Sequence, residues 1–164
     1  MNESTEMHRI KVRISEMKVA KGDAVLVSYG LGSCAGVAIF DPEHEVGGMA
    51  HILLPGKPRE GDSPLKFSET AVRILVDEIV AMGGAKENML AKVVGGANMF
   101  SWLGSENKKP IGDRNIEAVI QQLDELGIKI VAKDVGGTKG RTVEFHPCTG
   151  EIKVRNAHGE TSTI

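Results

Sequence analysis

The sequence contains no run approaching the roughly 18 consecutive apolar residues of a membrane-spanning helix, and its first residues carry no apolar segment of the secretory type. Both absences predict a cytoplasmic protein without membrane insertion. Cysteine is nearly missing: only Cys34 and Cys148 occur, and in a reducing compartment two thiols default to the free form rather than a disulfide. No Cys-x-x-Cys or His-x-x-x-His spacing offers a metal site. A glycine-rich stretch does follow an apolar run at Gly95-Gly96-Ala97-Asn98-Met99-Phe100, with Trp102 placed to cap it. It lacks both a Walker lysine and a full dinucleotide fingerprint, so it reads as a packing or site-lining turn, and no cofactor is expected. Excess positive charge is absent too. The net charge is −2 with acids and bases interspersed, which leaves no electrostatic footprint for nucleic acid or an anionic membrane. The one basic cluster, Lys108-Lys109 with Arg114, reads as a solvated loop.

What is present is enough for one packed domain spanning 1–164, with an ordered core of about 8–155: 164 residues, 41% of them hydrophobic. Residues 8–14 alternate polar and apolar side chains as a half-exposed edge strand does, and Ala24–Val27 forms a buried run ending at Ser28. Helical spacing of Ala71, Val72, Leu75, Ile79 and Val80 predicts a helix from about Leu65 to Met82, with Gly83 as its stop. A second stripe, Ile116, Val119, Ile120 and Leu123, predicts another from about Asp113 to Leu126. Strands are expected at 90–94, 128–134, 141–145 and 152–154, and the tail after Asn156 reads as loose. Between the last two strands, His146 and Cys148 sit in His146-Pro147-Cys148-Thr149-Gly150, a hairpin connection rather than a second thiol–imidazole site. Many strands with two main helices predict an α/β sandwich with the helices packed on sheet.

The stretch from Ser28 to His51 carries the chemistry. Two apolar runs, 35–40 and 46–54, flank Asp41-Pro42-Glu43-His44-Glu45, which reads as a turn between antiparallel strands. A turn centred between Pro42 and Glu43 would set Cys34 opposite His51 on one face of the sheet, whereas a one-residue slip would separate them. A cysteine is a useful nucleophile as thiolate, and a neighbouring histidine can take its proton. Cys34 and His51 fit those roles. Ser28 is the candidate to orient the imidazole. The turn Gly30-Leu31-Gly32-Ser33 ahead of Cys34 is placed to aim the N–H groups of Ser33 and Cys34 at an oxyanion. Such a set performs acyl transfer.

Gly30-Leu31-Gly32-Ser33-Cys34, then Asp41-Pro42 and Gly48-Met49-Ala50-His51 before Leu54-Pro55, resemble the CheD family of chemoreceptor glutamine deamidases. The later motifs Ala91–Met99, Ile111-Gly112-Asp113-Arg114-Asn115, and Asp134-Val135-Gly136-Gly137 with Gly140-Arg141 follow in that family's order, so the likeness runs from about Glu16 to Val154. The resemblance implies a three-layer α/β sandwich of mixed and antiparallel sheets, with Cys34 as nucleophile and His51 as general base. Ser28 would stand in the third position, where the family typically has threonine. It further implies deamidation of glutamine side chains in the cytoplasmic helical region of chemoreceptors through a thioester, with glutamyl methyl ester hydrolysis open to the same intermediate. A non-catalytic role, as the regulatory partner of a CheC-type phosphatase, is the alternative from another class. A cysteine protease or transglutaminase is the enzymatic one.

Overall fold

The computed structural model describes residues 8–99 and 109–164, so Trp102 and Lys108 lie outside the described residues. Ten strands among these residues form two five-stranded sheets. The first, in spatial order, contains β1 (His8–Lys11), β3 (Ala24–Leu31), β8 (Arg141–Phe145), β9 (Ile152–Asn156) and β10 (Thr161–Thr163). The second contains β2 (Met17–Lys21), β5 (Val46–Ile52), β4 (Ala35–Asp41), β6 (Leu90–Gly95) and β7 (Lys129–Val135). β1 pairs with β3 and β6 with β7 in parallel, and the remaining neighbours are antiparallel. Helices α1 (Ser68–Ala81) and α2 (Ile111–Glu125) cover the outer face of the second sheet. The result is three layers: helices, sheet, sheet.

Strand periodicity sorts the core into two slabs. Along β4, Ala35, Val37 and Ile39 join α1 and α2 residues such as Leu75, Ile79, Val119 and Leu123. Cys34, Ala38 and Phe40 instead pack between the sheets with Leu26, Leu31, Met49, Val94 and Phe145. Successive side chains of a strand point to opposite faces, so a strand buried on both faces must be apolar throughout. β4 and β5 are buried along their whole length.

Several elements differ from the sequence-based expectation. β2 and β10 were not anticipated, and the segment after Asn156, expected to be loose, returns as a strand paired to β9. Ser28 is not the end of β3. The strand continues through a bulge at Tyr29-Gly30, where Gly30 has φ 64°, and brings Leu31 back into the core. That left-handed residue is readily taken by glycine. Gly30 therefore belongs to the bulge, and the turn before Cys34 is confined to Gly32–Cys34. α1 begins at Ser68 because Pro64–Lys66 forms a separate 3-10 turn capped by the Ser63 hydroxyl, and α2 begins at Ile111, directly after Pro110.

The β4–β5 turn also differs, and Asp41 is the reason. Its carboxylate accepts the N–H groups of Glu43 and His44 through Oδ1, while Oδ2 takes the His44 imidazole at 2.6 Å and the Ala85 N–H at 2.8 Å. Those bonds close the chain into the four residues Pro42–Glu45, centred between Glu43 and His44. The ladder therefore pairs Asp41 with Val46 and Gly36 with His51. Cys34 and His51 are offset by two residues from the expected direct pairing, an even slip that keeps both on one face.

The Asp41 carboxyl is held at about 2, below its ordinary 3.8, by these donors acting against burial. A depressed carboxyl contributes stability that is fully present above the unfolded value and is lost as pH falls through the folded one. Acid unfolding should therefore show a loss between about pH 4 and pH 2 that Asp41→Asn removes. At pH 7 the same substitution should lower stability by about 1–2 kcal/mol, read from urea midpoints.

Candidate active site

Cys34 sits at the end of the Gly32–Cys34 turn, one residue before the first paired residue of β4. It is 6% exposed and packs in the inter-sheet slab. His51, 2% exposed, is the next-to-last residue of β5 and shares the parity of Met49, which faces the same slab. The two are diagonal neighbours on one face, a relation that spans about 7–8 Å between strand positions and is bridged by longer side chains.

The imidazole is fixed from one side. Its Nδ1 lies 3.4 Å from the Val12 carbonyl oxygen, and its Nε2 is buried with no hydrogen-bond partner among the described residues. A carbonyl accepts only, so the contact selects the tautomer with the proton on Nδ1 and leaves a lone pair on Nε2. The backbone of His51 is clamped as well: the Ser15 N–H donates to its carbonyl at 2.8 Å, and its own N–H donates to the Glu16 carbonyl at 3.0 Å. Both contacts come from the tight turn joining β1 to β2, in which Ser15 has φ 64°.

Ser28 enters differently from the sequence-based reading. Its hydroxyl donates at 2.8 Å to the Val12 carbonyl, the acceptor that also faces His51, and not to the imidazole. Ser28 is 1% exposed and does not border open solvent. The partner it shares with the histidine is that backbone oxygen.

The turn ahead of Cys34 is held by three successive carbonyls. Gly32 O accepts from the Ala97 N–H at 2.9 Å, Ser33 O from Asn115 Nδ2 at 2.9 Å, and Cys34 O from the Gly96 N–H at 2.8 Å. In a trans peptide the N–H points opposite to the preceding carbonyl. Fixing the carbonyls of Gly32 and Ser33 toward the 96–97 loop and α2 therefore turns the N–H groups of Ser33 and Cys34 the other way. Burial raises the Cys34 thiol's proton affinity, and the residue's own backbone opposes that rise. The 95–98 loop is braced by the Gly136-Gly137 turn, with Gly136 N–H to Gly95 O at 2.9 Å and Asn98 N–H to Gly137 O at 2.8 Å.

Burial dominates the titration of both groups. It pushes the Cys34 thiol above its ordinary value, and it pulls His51 below 6.5 against the opposing effects of the Val12 carbonyl and the Glu16 charge. Both shifts favour the neutral forms, thiol and uncharged imidazole. A cleft of about 410 Å³ opens onto His51 and Val12. Its walls include Tyr29 and Ile14, each 54% exposed, and its rim carries Lys11 and Arg13. Cys148 is half-exposed in its turn, and burial together with Glu45 and Asp23 also raises its thiol.

Asn115 is the site-adjacent residue that sequence reasoning missed. It is 0% exposed, and its Nδ2 also donates to Leu53 O at 3.0 Å. The signal was an amide on the buried stripe of α2, one residue before Ile116 and four before Val119. Polar groups there need partners.

Since the Ser28 hydroxyl is buried and bonded, Ser28→Ala should lower stability by about 0.5–1.5 kcal/mol in urea unfolding, whereas Ser28→Thr, which keeps the donor, should stay within about 0.5 kcal/mol.

The family model described as CheD chemotactic sensory transduction matches residues 53–156, beginning two residues after His51. A probable chemoreceptor glutamine deamidase CheD of Desulfitobacterium hafniense is 46% identical over 153 residues, covering 92% of this chain and 96% of that protein. The chemoreceptor glutamine deamidase CheD of Thermotoga maritima is 43% identical over 148 residues, covering 90% and 92%. Among solved structures, a Neisseria meningitidis protein matches with TM-score 0.51 at 13% identity, covering 80% of this chain and 65% of that one, a likeness of fold alone.

Proposed function

The chain belongs to the CheD family, and from that membership we infer that it is a chemoreceptor glutamine deamidase, a hydrolase converting receptor glutamine side chains to glutamate. The observation that carries the chemistry is the buried Nε2 lone pair of His51 on the same face as Cys34, with the opposite ring nitrogen held by Val12 O.

In the mechanism proposed here the glutamine carboxamide enters by the cleft beside Tyr29 and Ile14. His51 Nε2 takes the Cys34 proton as sulfur attacks the carboxamide carbon. The oxyanion is met by the N–H groups of Ser33 and Cys34 beside the buried thiol, where low polarity makes such donors count most. The resulting imidazolium gives its proton to the departing nitrogen, ammonia leaves, and a thioester remains. His51 then accepts a proton from water as it attacks the thioester, glutamate is released, and the proton returns to sulfur. A glutamyl methyl ester reaches the same thioester with methanol as leaving group. Apart from the substrate and water, every group in this scheme belongs to the chain, so no cofactor is invoked. The proposal includes a cytoplasmic location, where the helical region of the receptors is accessible. On the resemblance alone it also includes docking of a CheC-type phosphatase, for which a pull-down with Cys34→Ala separates binding from turnover.

Incubation with receptor cytoplasmic fragments should release ammonia and add about 1 Da per modified glutamine by mass spectrometry. Cys34→Ala should abolish both with the fold intact by circular dichroism, and Cys148→Ser should retain most activity. An active Cys34→Ala enzyme, or a cleaved or cross-linked product, would overturn the assignment.

Because His51 must be neutral to act as base, kcat/KM should fall on the acid side with a limb below pH 6.5, the direction in which burial moves this imidazole. Initial rates of ammonia release between pH 5 and pH 8.5 check this. A limb above pH 7 would point to a different base.

A further inference from the structure

We infer that Asn115 is a positioning residue for this reaction, holding the oxyanion donor of Cys34 and the strand that carries His51 in one frame. Its single Nδ2 group donates to two backbone oxygens from different parts of the chain: Ser33 O at 2.9 Å and Leu53 O at 3.0 Å. The first oxygen belongs to the peptide whose N–H is that of Cys34. The second lies two residues after His51, just beyond the end of β5. One amide thereby sets both the rotation of the 33–34 peptide and the distance between the two reacting segments.

Packing confines that amide, whose Oδ1 is buried with no hydrogen-bond partner among the described residues. Asn115 is fully buried in the first turns of α2. The helix is pressed onto the neighbouring loop at Gly112, where a Cβ would stand 2.5 Å from Gly96 O and 2.6 Å from both Ala97 O and Asn98 Oδ1. Asn98 Nδ2 donates in turn to Asp113 Oδ1 at 2.8 Å. Gly96 and Ala97 are the residues whose N–H groups bind the carbonyls on either side of Ser33. The Ser33 oxygen is the one of the three that no backbone group reaches, and the Asn115 side chain supplies the missing donor. An aspartate there is acceptor-only when ionised, so it cannot replace either bond, and serine is too short to span both oxygens.

The inference rests on the Cys34–His51 reading, and the experiment separates the two. Ammonia release from receptor fragments is followed for wild type, Cys34→Ala, Asn115→Ser and Asn115→Asp, each at a temperature where thermal melts show it folded. Because Asn115 is buried and touches no substrate, both substitutions should lower kcat by about 30–100-fold while leaving KM within about twofold, the scale of residues that orient a functional group at one remove. Loss of stability with kcat per folded molecule unchanged would overturn the proposal, as would a rise in KM at constant kcat. If the aspartate variant does not fold, the serine variant, which buries no charge, carries the same measurement. Activity in Cys34→Ala would overturn the site reading itself. An inactive Cys34→Ala beside a fully active Asn115→Ser would overturn only the role of Asn115.

Discussion

The register between β4 and β5 is the constraint on which the rest of the site depends. Side chains alternate along a strand, so the pairing frame decides which residues enter the slab between the sheets and which face the helices. Asp41 sets that frame by gathering the N–H groups of Glu43, His44 and Ala85 and the His44 ring on one carboxylate. The last of these donors comes from beyond α1, so the turn is fixed both locally and through the helix layer. A frame held at a distance from the site leaves Cys34 and His51 free of any structural duty in the turn itself.

A second regularity is that backbone oxygens position the groups to which the chemistry is assigned. Val12 O faces both Ser28 and His51, and the oxygens of Gly32, Ser33 and Cys34 are each taken by a donor from the opposite side. Buried carbonyls require partners, and satisfying them here has a geometric effect. The bonded oxygens of Gly32 and Ser33 set the direction of the Ser33 and Cys34 N–H groups, and Val12 O faces a ring nitrogen of His51. The glycine-rich loop 95–98 and the start of α2 thus matter as a mould for the turn before Cys34, which accounts for their glycine content better than any phosphate cradle would.

Much of this was legible in the sequence, and the gaps have physical causes. Both helices, the central strands and the Cys34–His51 face followed from periodicity and turn chemistry, because those segments are buried and their patterns are strong. β2 escaped because Met17-Lys18-Val19-Ala20-Lys21 is a short edge strand with only Ala20 fully buried. β10 escaped because its three residues are exposed and owe their form to pairing with β9. The turn centre was off by one residue, since counting from Pro42 ignored the reach of the Asp41 side chain to two later N–H groups. Ser28 looked like a strand end because Tyr29 and Gly30 break the apolar run, while a bulge carries the strand across them. Asn115 could not be assigned from one sequence, because an amide on an apolar stripe announces a partner without naming it.

The electrostatics of the pair follow from the same burial. Ionising Cys34 and His51 together would place two charges in a slab lined by Leu31, Met49 and Phe145, and removing such charges from water disfavours them strongly. Both groups accordingly shift toward their neutral forms. A pre-formed thiolate would gain nucleophilicity but would stand for most of its life as a reactive group unattended by substrate. In the proposed mechanism, starting from neutral groups, the proton moves only when the carboxamide carbon is in place, and the negative charge passes from sulfur to an oxygen that the N–H groups of Ser33 and Cys34 are proposed to meet. The imidazolium proposed for that step would face the Val12 carbonyl on one side and the Glu16 charge, both of which favour its positive charge. On the proposed mechanism the charges arise where their partners already stand, so burial that penalises a resting ion pair need not equally penalise the transition state.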